Sequence, residues 1–186
     1  MHWKAVIQIL MYLKGNSKLA LVLGGANPLT LHAYSDADWA GDTDRRRSRT
    51  GYCIFLGSSL IVWCSKLQLS TALSTMEAEY MALSATCQDV IWLRKLISEM
   101  GHRQNQATTV YEDNTSCMAV ASSESYHPGI RHIDIRYHFI QDRITEIKDI
   151  ALEYKPTGEM IADLFTKQLP FPAFSRHRHA LGLSAI

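Results

Sequence analysis

Residues 31–39 read LHAYSDADW, and their alternation decides the class of the chain. Leu31, Ala33, Ser35, Ala37 and Trp39 fall on one side of an extended backbone; His32, Tyr34, Asp36 and Asp38 fall on the other. A period of two with aromatic residues predicts a strand whose second face is polar. Beyond a polar turn, GDTDRRRSRTG (41–51), come YCIFLG and LIVWCS. These β-branched and aromatic runs are joined by Gly57-Ser58-Ser59, which predicts a hairpin.

From Thr75 to Met100 the period changes. An apolar stripe through Met76, Tyr80, Leu83, Cys87, Val90, Ile91 and Ile97 predicts one long helix. TTVYED (108–113) reads as a strand, and Asn114 suits the N-cap of a helix after it. A second helix is predicted over 130–147, where Ile133, Tyr137, Ile140, Ile144 and Ile147 recur at helical spacing. DIALEYK (149–155) alternates as a strand, Pro156-Thr157-Gly158 turns the chain, and EMIADLFTKQL (159–169) begins a last helix. Ahead of all this, Trp3, Val6, Ile7, Leu10 and Leu13 line one helical stripe that Gly15-Asn16 stops, and LALVLGG is a short strand ending in a turn.

The resulting order is β-β-β-α-β-α-α-β-α behind an N-terminal helix. Three consecutive strands followed by alternating helices and strands predict an α/β fold, a mixed five-stranded sheet flanked by helices. The chain divides into a leading helix and turn (1–30), one domain (31–168) and a Pro-broken, basic tail (169–186).

Composition bounds the function. The chain has 186 residues, 47 % of them hydrophobic and 20 % charged, which excludes a mainly disordered state. Nineteen basic residues against 18 acidic ones exclude a protein that holds nucleic acid simply by being basic. Four cysteines, Cys53, Cys64, Cys87 and Cys117, form no CxxC pair and read as reduced thiols. No apolar run approaches the roughly 18 residues of a membrane span, and the opening has no small-residue cleavage site. An intracellular protein without a membrane partner is the expectation.

Four carboxylates stand where strands and helices can aim them at one point. Asp36 and Asp38 share the polar face of the first strand, and its alternation does not choose between them. On a helical wheel Glu79 lies beside the apolar stripe of the long helix, whereas Glu77 points away. Asp113 ends the fourth strand just before a helix, the edge where sites collect in α/β sheets. Asp163 falls in the first turn or so of the expected last helix. Converging carboxylates repel one another and are driven toward neutrality unless a cation holds them. An oxygen-only set without His or Cys suits Mg²⁺ or Mn²⁺, and two such ions activate water and stabilise the leaving oxygen in phosphodiester hydrolysis.

Longer motifs add a family. Tyr34-Ser-Asp-Ala-Asp-Trp-Ala-Gly41, Thr50-Gly-Tyr52, Trp63-Cys-Ser-Lys66, Leu73-Ser-Thr-Met-Glu-Ala-Glu-Tyr-Met-Ala-Leu83, Glu112-Asp-Asn114, Arg131-His-Ile-Asp-Ile-Arg-Tyr-His138 and Ala162-Asp-Leu-Phe-Thr-Lys167 occur in order along nearly the whole chain. Together they resemble the RNase H domain of copia-type LTR retrotransposon Pol polyproteins. His2-Trp-Lys-Ala-Val6 and Tyr12-Leu-Lys-Gly15 resemble the segment that links the reverse transcriptase to that domain. The resemblance implies an RNase H fold and two-metal endonucleolytic cleavage of the RNA strand of RNA/DNA hybrids during reverse transcription. It implies two Mg²⁺ ions, for which Mn²⁺ can substitute, and it maps the acids onto Asp36, Glu79, Asp113 and Asp163, choosing Asp36 over Asp38. It implies the reverse transcriptase portion of the same polyprotein as a partner, and the cytoplasm (virus-like particle) as the location for an active element. Cellular relatives often carry a His in the loop before the last helix; Lys155-Pro-Thr-Gly158 has none.

Arg45, Arg46, Arg47 and Arg49 make a basic turn suited to hybrid phosphates, with Lys66 and Gln68 as further backbone contacts. His127, His132 and His138 lack the Cys partners and spacing of a zinc site. Trp39, Trp63 and Trp92 are expected in the core or between sheet and helix. Ser74 and Ser116 have no His/Asp arrangement for a nucleophile. The alternative is a non-catalytic RNase H-like module that binds nucleic acid or braces a polymerase, which the apolar stripe of the first helix favours.

Overall fold

A computed structural model describes residues 2–25, 28–123 and 134–185. Helix α1 (His2–Gly15) and the short strand β1 (Leu19–Leu21) lead into β2 (Leu31–Asp38), β3 (Arg49–Leu56) and β4 (Ser59–Leu67). The long helix α2 (Thr75–Glu99), strand β5 (Thr108–Glu112) and helices α3 (Thr115–Ala121) and α4 (Asp134–Gln141) follow. A π-helical turn (Asp142–Glu146), strand β6 (Ile150–Tyr154), two 3₁₀ turns (Thr157–Glu159 and Ile161–Phe165), helix α5 (Phe171–Ala180) and β7 (Leu183–Ala185) complete the chain.

Five strands form one mixed sheet in the order β4-β3-β2-β5-β6. The first three pair antiparallel, while β5 joins β2 in parallel and β6 joins β5 in parallel. The predicted α/β class, the five strands and the long helix are therefore present. β2 is central, and its polar second face, as well as its apolar one, is largely covered. Leu31, Ala33 and Ala37 enter the larger core under α2, whereas Tyr34 enters a second core with Phe55, Met160, Ile161 and Leu181.

Helix α2 starts where local chemistry tells it to. Ser74 is the N-cap, its Oγ accepting from Glu77 N at 3.2 Å, while Glu77 Oε2 accepts from Leu73 N at 2.7 Å. This is a capping box reaching one residue further back, so Glu77 is a buried capping residue and not the outward side chain the wheel suggests. The helix ends on Gly101 at φ 89°, with His102 N donating to Ile97 O at 2.9 Å, a Schellman stop.

Three further expectations are corrected. The predicted 130–147 helix is regular only over Asp134–Gln141 among the described residues. The π-helical turn shifts the register, so Tyr137 and Ile140 are buried while Ile147 is exposed. The segment 159–169 is not an α-helix; it makes 3₁₀ turns, and the helix comes later, in the tail. The three tryptophans lie outside the core, with Trp39, Trp63 and Trp92 exposed by 45, 59 and 58 %. β4 is an edge strand, and Trp39 donates its indole N–H to Ala72 O instead of packing inside. β1 pairs antiparallel with β7, an unforeseen ribbon that ties the leading segment to the tail. The four cysteines are unpaired thiols, and no helix among the described residues is long and apolar enough to cross a membrane.

Candidate active site

The sheet register sets up the acids. Tyr34 on β2 pairs with Tyr111 on β5 in parallel, so Asp36 and Asp113, each two residues further on, arrive level at the same edge. α2 crosses beneath β2, pinned by the Thr86 Oγ1 to Ser35 Oγ hydrogen bond at 3.2 Å, and delivers Glu79 from its first turns. One carboxylate oxygen from each of Asp36, Glu79 and Asp113 lies within 4.8 Å of the other two. Asp36 and Glu79 are buried and Asp113 is half-buried.

Asp163 reaches the same place from the second 3₁₀ turn, although it is not one of that close trio. Thr166 Oγ1 donates to Asp36 Oδ2. Lys167 Nζ stands 2.8 Å from Asp163 Oδ1 and 3.9 Å from Asp36 Oδ1. Gly51, the residue paired with Asp36 across the β2–β3 ladder, lets this turn come so near. A Cβ there would stand 2.4 Å from Thr166 Cγ2 and 2.9 Å from Phe165 Cβ. Asp38, the competing acid of the strand, is half-exposed and its carboxyl group folds against Gly41.

Two contributing residues escaped the sequence reading. Glu112 is completely buried beneath the acids; its Oε1 accepts from Asn114 N at 3.2 Å, while its Oε2 has no hydrogen-bond partner. The period of β5 carries the signal, since Thr108, Val110 and Glu112 are its buried positions. Thr157, in the loop that lacks a His, donates its hydroxyl to Asp113 Oδ2 at 2.6 Å. Asn114 caps α3 as expected, accepting from Cys117 N at 3.0 Å.

Electrostatics follow from this crowding. Burial pushes the Asp36 carboxyl up to about 7, with Asp163 and Asp113 adding to the shift and Lys167 and Thr166 opposing it. Burial, then Glu112, Asp36 and Asp113, pushes Glu79 up to about 10. Glu112 and Asp163 are raised as well, each mainly by burial. Burial alone would lower the Lys167 ammonium, but the surrounding carboxylates outweigh it and hold it raised. Like charges confined in low dielectric take up protons unless a cation neutralises them. Glu79 Oε2 is also buried without a hydrogen-bond partner. An all-oxygen donor set with unsatisfied lone pairs fits a hard divalent cation such as Mg²⁺ or Mn²⁺.

The basic residues are arranged around this edge with different burial. Arg45 and Arg46 are exposed in the turn before β3, Arg47 is half-buried, and Arg49 lies at the start of β3 with Nη1 3.5 Å from Ser65 Oγ. Lys66 is exposed at the end of β4. Gln68 is buried, donating Nε2 to Thr50 Oγ1 and to Ala78 O, next to Glu79. Lys66, Gln68, Ser84 and Arg136 line a cleft of about 290 Å³. His127 and His132 lie outside the described residues, and His138 is exposed on α4.

No protein-family profile matches the chain. It is 40 % identical over 182 residues to the retrovirus-related Pol polyprotein of transposon TNT 1-94 from Nicotiana tabacum, covering 98 % of this chain and 14 % of that protein. To the Pol polyprotein of transposon RE2 from Arabidopsis thaliana it is 35 % identical, covering 98 % of this chain and 12 % of that protein. The chain thus spans about an eighth of the length of these relatives. Among solved structures it is similar to LC11-RNase H1 from compost, with a TM-score of 0.55 at 14 % identity over 80 % of this chain and 97 % of that one. The same enzyme in complex with an RNA/DNA hybrid gives a TM-score of 0.54 at 13 % identity over 74 % of this chain and 94 % of that one. The RNase H domain of rv2228c from Mycobacterium tuberculosis gives 0.52 at 13 % identity, over 82 % of this chain and 98 % of that one. Along nearly its whole length the chain is thus homologous to retrovirus-related Pol polyproteins of copia-type transposons, and its mixed five-stranded sheet has the RNase H fold.

Proposed function

We propose that the chain hydrolyses the RNA strand of RNA/DNA hybrids with divalent metal ions held by Asp36, Glu79, Asp113 and Asp163. The observation that carries this reading is the convergence of Asp36, Glu79 and Asp113 within 4.8 Å at one sheet edge. When bound, Mg²⁺ supplies an activated water and a Lewis acid for the leaving oxygen. The chain's own residues do the positioning. Thr166 orients Asp36, Thr157 orients Asp113, and the hydrogen bond from the Ala37 backbone holds Glu79. Glu112, fully buried, braces the β5–α3 turn by accepting from Asn114 N.

The RNA/DNA hybrid bound by a fold neighbour supports the substrate. Arg45, Arg46, Arg47, Arg49, Lys66 and Gln68 are the proposed grip on the nucleic acid, through phosphates and the RNA 2′-hydroxyl, without base readout. The nuclease unit is proposed as 31–168, with its two flanks joined by the β1–β7 ribbon. Helix α1 is the proposed contact with the reverse transcriptase portion of the polyprotein, since Trp3, Ile9, Leu10, Met11 and Leu13 are all exposed on it. The same surface favours the second reading, a module that braces a polymerase without cutting. The deciding assay is cleavage of a labelled hybrid in Mg²⁺ by the parent and by Asp36→Asn. The parent cuts, and the variant loses about 10³-fold or more while keeping its circular dichroism spectrum, the ratio that several kcal/mol of metal-borne stabilisation represents. Equal rates would refute the assignment of Asp36, and a parent that never cuts would leave the bracing module.

A further inference from the structure

Lys167 stands between two of the acids. Its ammonium lies 2.8 Å from Asp163 Oδ1 and 3.9 Å from Asp36 Oδ1. The backbone enforces this placement: Lys167 N donates to Asp163 O at 3.1 Å, so the Lys projects from the same tight turn as the acid it bridges. The other oxygen of Asp36 is already engaged by the Thr166 hydroxyl. Asp36 therefore offers Oδ1 as its open ligand atom, and that atom faces the ammonium.

The chemistry is one of exclusion. A divalent cation ligated by Asp36 and Asp163, and an ammonium bridging them, require the same oxygens and the same space. The Lys167 side chain is 36 % exposed against 2 % for Asp36, so it has a route to solvent that the acid lacks. The two carboxylates carry two negative charges and the ammonium returns one. A monovalent ion that displaces it gains no charge, whereas a divalent ion gains one unit.

We propose that Lys167 is a resident counter-cation that competes with divalent metal for Asp36 and Asp163, and so sets the metal concentration at which the site loads. This rests on the reading that these acids hold divalent ions, and it makes Lys167 a positioning residue, not a metal ligand.

The test uses the full chain and Mn²⁺ alone as the probe. Binding is followed at pH 8.5 by titration calorimetry and by the electron paramagnetic resonance of free Mn²⁺, and melting temperature is measured in EDTA. Lys167→Met is expected to lower half-saturating Mn²⁺ about fivefold and to lower the melting temperature in EDTA, because two buried carboxylates lose their counter-charge. Lys167→Arg keeps the charge and is expected to bind Mn²⁺ within about twofold of the parent. If Lys167→Met binds Mn²⁺ no more tightly than the parent, the competition is refuted while the metal reading stands. If the parent itself binds no Mn²⁺, the metal reading falls, and this inference with it.

Discussion

Replacing Gly51 by Ala adds one methyl group at the most crowded point beside the acids. The added Cβ would stand 2.4 Å from Thr166 Cγ2, 2.9 Å from Phe165 Cβ and 3.1 Å from Ala162 O. Carbon atoms settle at about 3.5–4.0 Å, so the second 3₁₀ turn has to retreat from β3 by about 1 Å. Overpacking of this kind costs about 1–3 kcal/mol, or roughly 2–12 °C in melting temperature for a chain of this size. The functional cost is larger than the stability cost. The retreating turn carries Asp163, Thr166 and Lys167, and Thr166 is the hydroxyl donor to Asp36. A displacement of about 1 Å in a catalytic constellation is worth about 10²-fold in rate. The assay pairs thermal unfolding with initial rates of hybrid cleavage in saturating Mg²⁺. Gly158→Ala is the control, because a Cβ at that position meets nothing within 4 Å. A Gly51→Ala chain with parental rate and parental melting temperature would refute the close-approach argument.

Three other outcomes are expected. The first concerns pH: Asp36 is raised to about 7 and Glu79 to about 10, each above its unfolded value. A raised carboxyl contributes stability at low pH that is lost as pH climbs to the folded pKa. The melting temperature in EDTA should therefore fall between pH 5 and 8, and saturating Mg²⁺ should remove most of that fall; a flat profile in EDTA would contradict the crowding. The second concerns Glu112: Glu112→Gln keeps an acceptor for Asn114 N and should unfold within a few degrees of the parent, whereas Glu112→Ala should lose about 2 kcal/mol by denaturant titration. The third concerns the arginine turn: replacing Arg45 and Arg46 by Ala should weaken hybrid binding by Asp36→Asn chains, read by fluorescence anisotropy. The slope of log K against log salt should flatten by about 0.7–0.9 for each phosphate that is no longer neutralised.

Legibility in the sequence tracked how local each determinant is. The alternation of 31–38 and the stripe of α2 come from side-chain periods, and both elements stand where those periods put them. Asp36 and Asp38 share a period and differ only in what packs over them. The covering turn comes from residues about 130 positions later, so no pattern within the strand distinguishes the two. Glu112 was readable from the parity of β5 but sits beside the more obvious Asp113. The tryptophans misled because size and apolarity predict burial only on average, and β4, an edge strand, turns Trp63 outward. The last acid shows the limit most clearly. MIADLF has helical spacing, and an α-helix over 159–169 is what its local preferences favour. Instead the chain makes a 3₁₀ turn there, and that turn packs so closely on Gly51 of β3 that a Cβ would stand 3.1 Å from Ala162 O. That approach gathers Asp163, Thr166 and Lys167 around Asp36. The geometry of the fourth acid is therefore a property of a glycine on another strand, and this is why one methyl group at Gly51 is the sharpest probe of the whole arrangement.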